Sequence, residues 1–211
     1  MATRNQPTTE APNPAAWTIE SARALYNVEG WGAGYFDISE RGRVIVRPNP
    51  DRPDLTADLR DLAHDLEGQG IALPVLLRFS DILKSRIETL SERFDGAMKE
   101  FDYSGGYTTV YPIKVNQQRH VVEEIVKFGK THGVGLECGS KPELQAVLGL
   151  SESTEHLIVC NGYKDQRYIE TAILARRLGR QPVVVIEQAD EVERIINASR
   201  ELGAAPLIGI R

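Results

Sequence analysis

Five short β-prone runs in the second half of the chain end on polar residues at nearly constant intervals: Lys114, Glu137, Asn161, Glu187 and Arg211 are separated by 23, 24, 26 and 24 residues. Each interval accommodates a strand, a loop, a helix of about three turns and a second loop, so the pattern is a repeated βα unit. The segments between carry helix signals. Ser140-Lys141-Pro142-Glu143 is a capping box with proline in the first turn, and Leu144, Val147 and Leu148 share a face behind it. Asp165 caps the next helix, with Ile169, Ala172, Ile173 and Leu178 turned inward and Gly179 as its stop. Val183 to Ile186 is a continuous β-branched run suited to a parallel strand covered on both faces. Val192, Ile195, Ile196 and Leu202 then continue the helical spacing up to Gly203.

Consecutive βα units wind into an open doubly wound sheet or close into a (β/α)8 barrel. The regular spacing, and the lack of a glycine-rich fingerprint after the first strand, favour the barrel. Its strand ends would ring a single pocket, although polar residues are also what any strand-to-loop junction shows. A full barrel takes about 250 residues. Counted from Lys114 the chain supplies five strands and four helices before Arg211. The expected fold is therefore α/β, an incomplete (β/α)8 TIM barrel, with the chain a fragment of a longer protein and the strand at 206–211 left with an unpaired edge.

The upstream half is less regular. Residues 1–16, rich in Thr, Pro, Asn and Ala, read as a disordered leader. Trp17 to Tyr26 is a short helix with Thr18 as N-cap, and Tyr35 to Ile38 and Val44 to Val46 form a hairpin around Ser39-Glu40-Arg41-Gly42. Gly30, Gly32 and Gly34 do not fit GxGxxG and precede a strand, so they are assigned to a β corner and not to a phosphate loop. Pro48 to Pro53 is a proline-punctuated linker. A helix carrying Leu59, Leu62, Ala63 and Leu66 follows and stops near Gly68 and Gly70. Leu73 to Phe79 is a buried-strand candidate, Ser80 caps a helix bearing Leu83, Ile87, Leu90 and Phe94, and Ser104-Gly105-Gly106 is a loop.

A net charge of -5 with scattered basic residues argues against nucleic acid or an anionic membrane as partner, which leaves a small soluble ligand. No apolar stretch is long enough to cross a bilayer, and the first residues lack the apolar core of a signal peptide, so the expected compartment is the cytoplasm. Cys138 and Cys160 are spaced like neither a zinc site nor a CxxC pair and are expected as free thiols. His64, His120, His132 and His156 are isolated from one another and from other ligand types at helical spacing, which disfavours a histidine metal site.

Lys114 sits among the β-formers Val110, Tyr111, Ile113 and Val115. An ammonium buried there would have to be paired, neutralised or chemically used, and a lysine in such a place forms Schiff bases with aldehydes. Taken alone, the segment favours the simpler fate of a lysine that marks the strand's exit to water.

Three segments change that balance. Tyr111-Pro112-Ile113-Lys114-Val115-Asn116-Gln117, the run Gly135 to Leu144, and Cys160-Asn161-Gly162-Tyr163-Lys164-Asp165 resemble the bacterial biosynthetic arginine decarboxylases, as do Tyr26 to Gly32 and Tyr35 to Ile38. The likeness runs in register through nearly all of the ordered chain. It implies a pyridoxal phosphate enzyme with an alanine-racemase-like barrel over residues 71–211, and residues 17–70 as part of a β domain with a linker helix. It makes Lys114 the lysine that holds pyridoxal 5'-phosphate as an internal aldimine, with Pro112 close to the cofactor. Related decarboxylases place an acidic residue at the position of Glu137, often the shorter aspartate, and a basic one at that of Arg211, both near the cofactor. Glu137 and Arg211 pairing only with each other is the structural alternative.

The implied activity is decarboxylation of L-arginine to agmatine and CO2, the first step of agmatine, putrescine and spermidine biosynthesis, by a homo-oligomeric full-length protein; Mg2+ is a family expectation only. The phosphate loop, the acid for the pyridine nitrogen, the proton donor and the guanidinium-reading acid are expected beyond Arg211, so the fragment alone is expected to be inactive. The alternatives are a diaminopimelate or ornithine decarboxylase, a non-catalytic pyridoxal phosphate binder, and an assembly module in which Lys114 is structural.

Overall fold

The computed structural model describes residues 17–150 and 156–211; the leader expected over residues 1–16 lies outside them. The chain divides into two compact units between Phe79 and Ser80.

In the first unit, α1 (Ile19–Leu25) begins where the Thr18 side chain accepts the Ser21 N–H. A short helix, α2 (Val28–Gly32), then buries Val28 and sets Trp31 against Phe36, ring centroids 5.3 Å apart. Gly30 and Gly32 are therefore helical, and the left-handed corner leading to the first strand is made by Ala33 and Gly34. Strands β1 (Phe36–Ile38) and β2 (Val44–Val46) form the expected antiparallel hairpin, with Gly42 at φ 71° in its turn. A third strand, β3 (Ala57–Asp58), pairs with β2. Two residues are too few to show a period-2 pattern, so it had no sequence signal. Asp58 then caps α3 (Leu59–Gly68), accepting the N–H groups of Arg60 and Asp61. Leu73 to Phe79 is not a strand: Leu73 and Leu76 are exposed, and Pro74 has no N–H to give a ladder.

The second unit opens with α4 (Ser80–Glu100), whose Leu83 and Ile87 pack on Val121, Ile125 and Val134. Five parallel strands follow in sequence order: β4 (Val110–Pro112), β5 (Gly135–Cys138), β6 (Leu157–Cys160), β7 (Gln181–Ile186) and β8 (Leu207–Ile210). Between them run α5 (Arg119–Gly129), α6 (Lys141–Leu150), α7 (Gln166–Arg177) and α8 (Ala189–Leu202). Strand alternation places Leu136, Cys138, Ile158, Cys160 and Val184 on one face, where they form a core with Leu144, Val147, Ile169, Ala172, Ile173, Ile195 and Ala198. Each fully buried Leu, Ile or Val among them contributes about 1.5–3 kcal/mol of apolar burial.

The local helix signals act as expected at two starts and two stops. The Asp165 carboxylate accepts the Tyr168 N–H at 2.7 Å, and Glu143 accepts the Gly139 N–H at 2.7 Å while its own N–H meets Ser140 Oγ. Gly179 and Gly203 adopt the left-handed conformation that ends a helix. Three apolar assignments differ. Leu178 lies at the C-cap of α7, beyond the buried stripe, and is exposed. Val192 and Ile196 are exposed because the inward stripe of α8 is Glu191, Ile195 and Ala198. In β7 only Pro182 and Val184 are buried, so the helices cover one face of that strand and the other residues are half-buried.

Candidate active site at the strand ends

Parallel strands deliver their carboxyl ends to one edge of the sheet, and four polar side chains meet there. Glu137 is the penultimate residue of β5, and Asn161, Glu187 and Arg211 directly follow β6, β7 and β8. Asn161 Nδ2 donates to Glu137 Oε1 at 3.0 Å. The next residue, Gly162, donates its N–H to Glu187 Oε1 at 2.7 Å, and Arg211 Nη1 lies 3.7 Å from the same oxygen. A continuous polar chain thus runs across four strands. The expected alternative of a Glu137–Arg211 pair is not formed: Glu137 is held by Asn161, and Arg211 by Glu187.

Glu137 is buried, and its second oxygen, Oε2, accepts no hydrogen bond from any described residue. An unsatisfied buried polar atom costs about 1–3 kcal/mol, which sets Glu137 apart from an ordinary structural carboxylate.

Lys114 is two residues beyond the end of β4. Pro112, opposite Glu137 in the register, ends the strand, and the chain winds into a 3-10 turn over Ile113–Val115. Ile113 is 3% exposed and pins the turn, whereas Lys114 is exposed and makes no hydrogen bond or ion pair with a described residue. The segment behind it is tied down. Tyr111 Oη donates to the Asn116 carbonyl, Asn116 Oδ1 accepts the Gln118 N–H, and Gln117 Nε2 reaches Glu143 Oε1 at 3.2 Å. Glu143 therefore braces the Lys114 segment and the β5–α6 loop together.

Beneath this edge lie two buried free thiols, Cys138 and Cys160, with sulfurs 3.9 Å apart. Their mutual contact lowers the Cys138 pKa and raises that of Cys160, while burial pushes the Tyr168 hydroxyl well above its usual range. Tyr168 Oη donates to the Cys138 carbonyl at 2.9 Å, and the Asn161 N–H reaches the same oxygen at 2.9 Å. The sequence places Glu187 only as one of the strand ends around the pocket and assigns Tyr168 no role, since the partners of both are set by cross-strand register. Among the described residues no group of three or more His, Cys, Asp or Glu could hold a metal ion, and no helix is long and apolar enough to cross a membrane.

The chain is an α/β protein with a parallel sheet, and the exposed Lys114 amine and the buried Glu137 carboxylate with a spare oxygen make the carboxyl edge of that sheet the candidate site. The chain belongs to the pyridoxal-dependent decarboxylases, whose pyridoxal binding domain matches residues 87–210. It is 54% identical, over 92% of its length, to the biosynthetic arginine decarboxylase of Parasynechococcus marenigrum and covers 30% of that protein. The corresponding protein of Prochlorococcus marinus is 49% identical over 99% of this chain, which covers 32% of it. Among solved structures, the biosynthetic arginine decarboxylase from Campylobacter jejuni superposes with a TM-score of 0.79 at 33% identity, over 88% of this chain and 30% of that one. A diaminopimelate decarboxylase from M. jannaschi, 22% identical with a TM-score of 0.58 over 86% of this chain and 36% of that one, shares the fold. The chain thus spans about a third of the length of the relatives it matches.

Proposed function

We propose that this chain is the cofactor-anchoring part of an arginine decarboxylase that forms agmatine and carbon dioxide from L-arginine, with Lys114 as the anchor. The observation that carries the reading is Lys114 itself, an amine without a partner among the described residues, following a strand whose Pro112 lies opposite the buried Glu137. The 54% identity to a biosynthetic arginine decarboxylase supports arginine as the substrate. Five parallel strands in sequence order support the first part of a (β/α)8 barrel of the alanine-racemase-like kind, from residue 71 onward, after a β-domain portion over residues 17–70.

The residues present fit pyridoxal phosphate. Lys114 would hold it covalently, with Pro112 and Glu137 beside it and Arg211 at the far end of the polar chain. The cofactor supplies an aldehyde that bonds an amine and a pyridine ring that takes up the electron pair left when a carboxylate departs. The protein groups orient and charge the site. Asn161 fixes one oxygen of Glu137 and leaves the other for a donor, while Glu187 holds the Arg211 guanidinium within 3.7 Å.

The test is agmatine formation from L-arginine, with added pyridoxal phosphate, by a full-length decarboxylase carrying this segment, abolished in Lys114→Ala, while residues 1–211 alone form none. Turnover of ornithine or diaminopimelate in place of arginine would overturn the substrate assignment. Cofactor binding by the full-length protein without turnover of any of these would leave a non-catalytic binder.

A further inference from the structure

Lys164 and Glu191 are both fully buried, and Lys164 Nζ lies 3.3 Å from the Glu191 carboxylate. Lys164 belongs to the β6–α7 loop and Glu191 to the first turn of α8. They meet the polar chain at the strand ends only through its backbone, and their side-chain hydrogen bonds tie together the two loops that carry it. Glu191 Oε1 accepts the Lys164 N–H at 3.0 Å, and Oε2 accepts the Glu187 N–H at 2.9 Å. Lys164 Nζ donates to the Gly162 carbonyl. Arg194, one turn further along α8, closes the arrangement by donating to the Lys164 carbonyl at 3.1 Å.

One carboxylate therefore clamps both loops, and the Gly162 peptide is held from each side: its carbonyl by Lys164 and its N–H by Glu187. Stability does not account for such a pair. Burying two charges costs as much as their attraction returns, and hydrophobic side chains of similar volume commonly do as well or better. Position does account for it, because a charge pair with fixed partners has one geometry where an apolar contact has many.

We propose that Lys164 and Glu191 are positioning residues for the strand-end site. They hold the 161–164 loop and the start of α8 in the register at which Asn161 grips Glu137 and Glu187 grips Arg211. What the site binds rests on the function proposed above; the clamp does not. A displacement of about 1 Å in such a frame is worth about a hundredfold in rate, so losing the clamp should be felt in the site before it is felt in the fold.

The variant is Lys164→Met/Glu191→Gln, which removes both charges and nearly preserves volume, compared with Val147→Ala, a buried truncation in α6 away from both loops. The double variant should keep the far-ultraviolet circular dichroism of the parent. Hydrogen exchange at the Gly162 amide should accelerate by about tenfold or more, with a similar loss of pyridoxal phosphate affinity, whereas Val147→Ala should leave both unchanged at equal or greater loss of stability. Should the double variant fail to fold, Glu191→Asp, which keeps the charge and shortens its reach by one carbon, carries the same expectations. Unchanged Gly162 exchange in a folded clamp variant, or equal acceleration in Val147→Ala, would overturn the proposal. If the parent binds no pyridoxal phosphate, the proposed function fails, and the exchange readout still decides the clamp.

Discussion

Replacing Gly162 with alanine should be the most damaging single-carbon addition at the strand-end site. Gly162 has φ +75°, and a Cβ there would press on the Gly139 carbonyl at a separation that real side chains essentially never show. The left-handed backbone costs a non-glycine residue about 1–2 kcal/mol. Gly139 cannot retreat freely, because its N–H is bound to Glu143 at 2.7 Å and the neighbouring Cys138 carbonyl accepts the Asn161 N–H at 2.9 Å. Yielding both contacts costs about 0.5–1.5 kcal/mol each, so the total loss is about 2–5 kcal/mol. Urea unfolding followed by far-ultraviolet circular dichroism measures it. Gly96→Ala supplies the contrast: Gly96 is inside α4 with nothing near its missing Cβ, and the change should stabilise by about 0.5–1 kcal/mol. A loss below about 1 kcal/mol for Gly162→Ala would refute the reasoning, since it would mean that the two loops relax apart without consequence.

Glu137→Met deletes the unsatisfied Oε2 but also takes the acceptor from Asn161 Nδ2, two opposing effects of about 1–3 kcal/mol each, so stability should change by less than about 2 kcal/mol while pyridoxal phosphate binding weakens; a larger loss would contradict the account of that oxygen. Tyr168→Phe removes a buried donor to the Cys138 carbonyl and should lower the unfolding free energy by about 1 kcal/mol in the same urea assay. Acid should weaken the second unit in a defined way. The Tyr168 N–H at the helix start holds the Asp165 carboxyl below its ordinary range. Burial raises the pKa of Glu191, but the N–H groups of Glu187 and Lys164 and the Lys164 charge more than offset it and leave the carboxyl lowered. A depressed folded-state value means that the stabilisation is present above the unfolded pKa, about 4, and is lost as pH falls through the folded one. Urea midpoints measured at neutral pH and near pH 3 should therefore converge for Asp165→Asn relative to the parent.

The repeated βα spacing was legible because strand and helix lengths fix it, and the caps at Asp165 and Ser140-Glu143 were legible because they act within four residues. Unit α8 shows where such reading stops. Its inward stripe includes Glu191, so a hydrophobic pattern rotates the helix toward Val192 and Ile196, and only the partner 27 residues earlier in sequence, Lys164, explains the charge. Leu73 to Phe79 looked like a strand by composition, but strand pairing is decided by a neighbour, which composition does not contain. At the site, the proposal of Lys114 as the anchor comes from the wording of its segment. The free oxygen of Glu137 was not, because it depends on the β5–β6 register that brings Asn161 to the other oxygen.

Incubating the protein with pyridoxal phosphate, reducing it with borohydride and mapping the labelled peptide tests the central claim most directly. The account predicts a pyridoxyl group on Lys114, with labelling lost in Lys114→Ala and no other lysine taking its place. Stoichiometric labelling of a different lysine, or none at Lys114 at saturating cofactor, would contradict it.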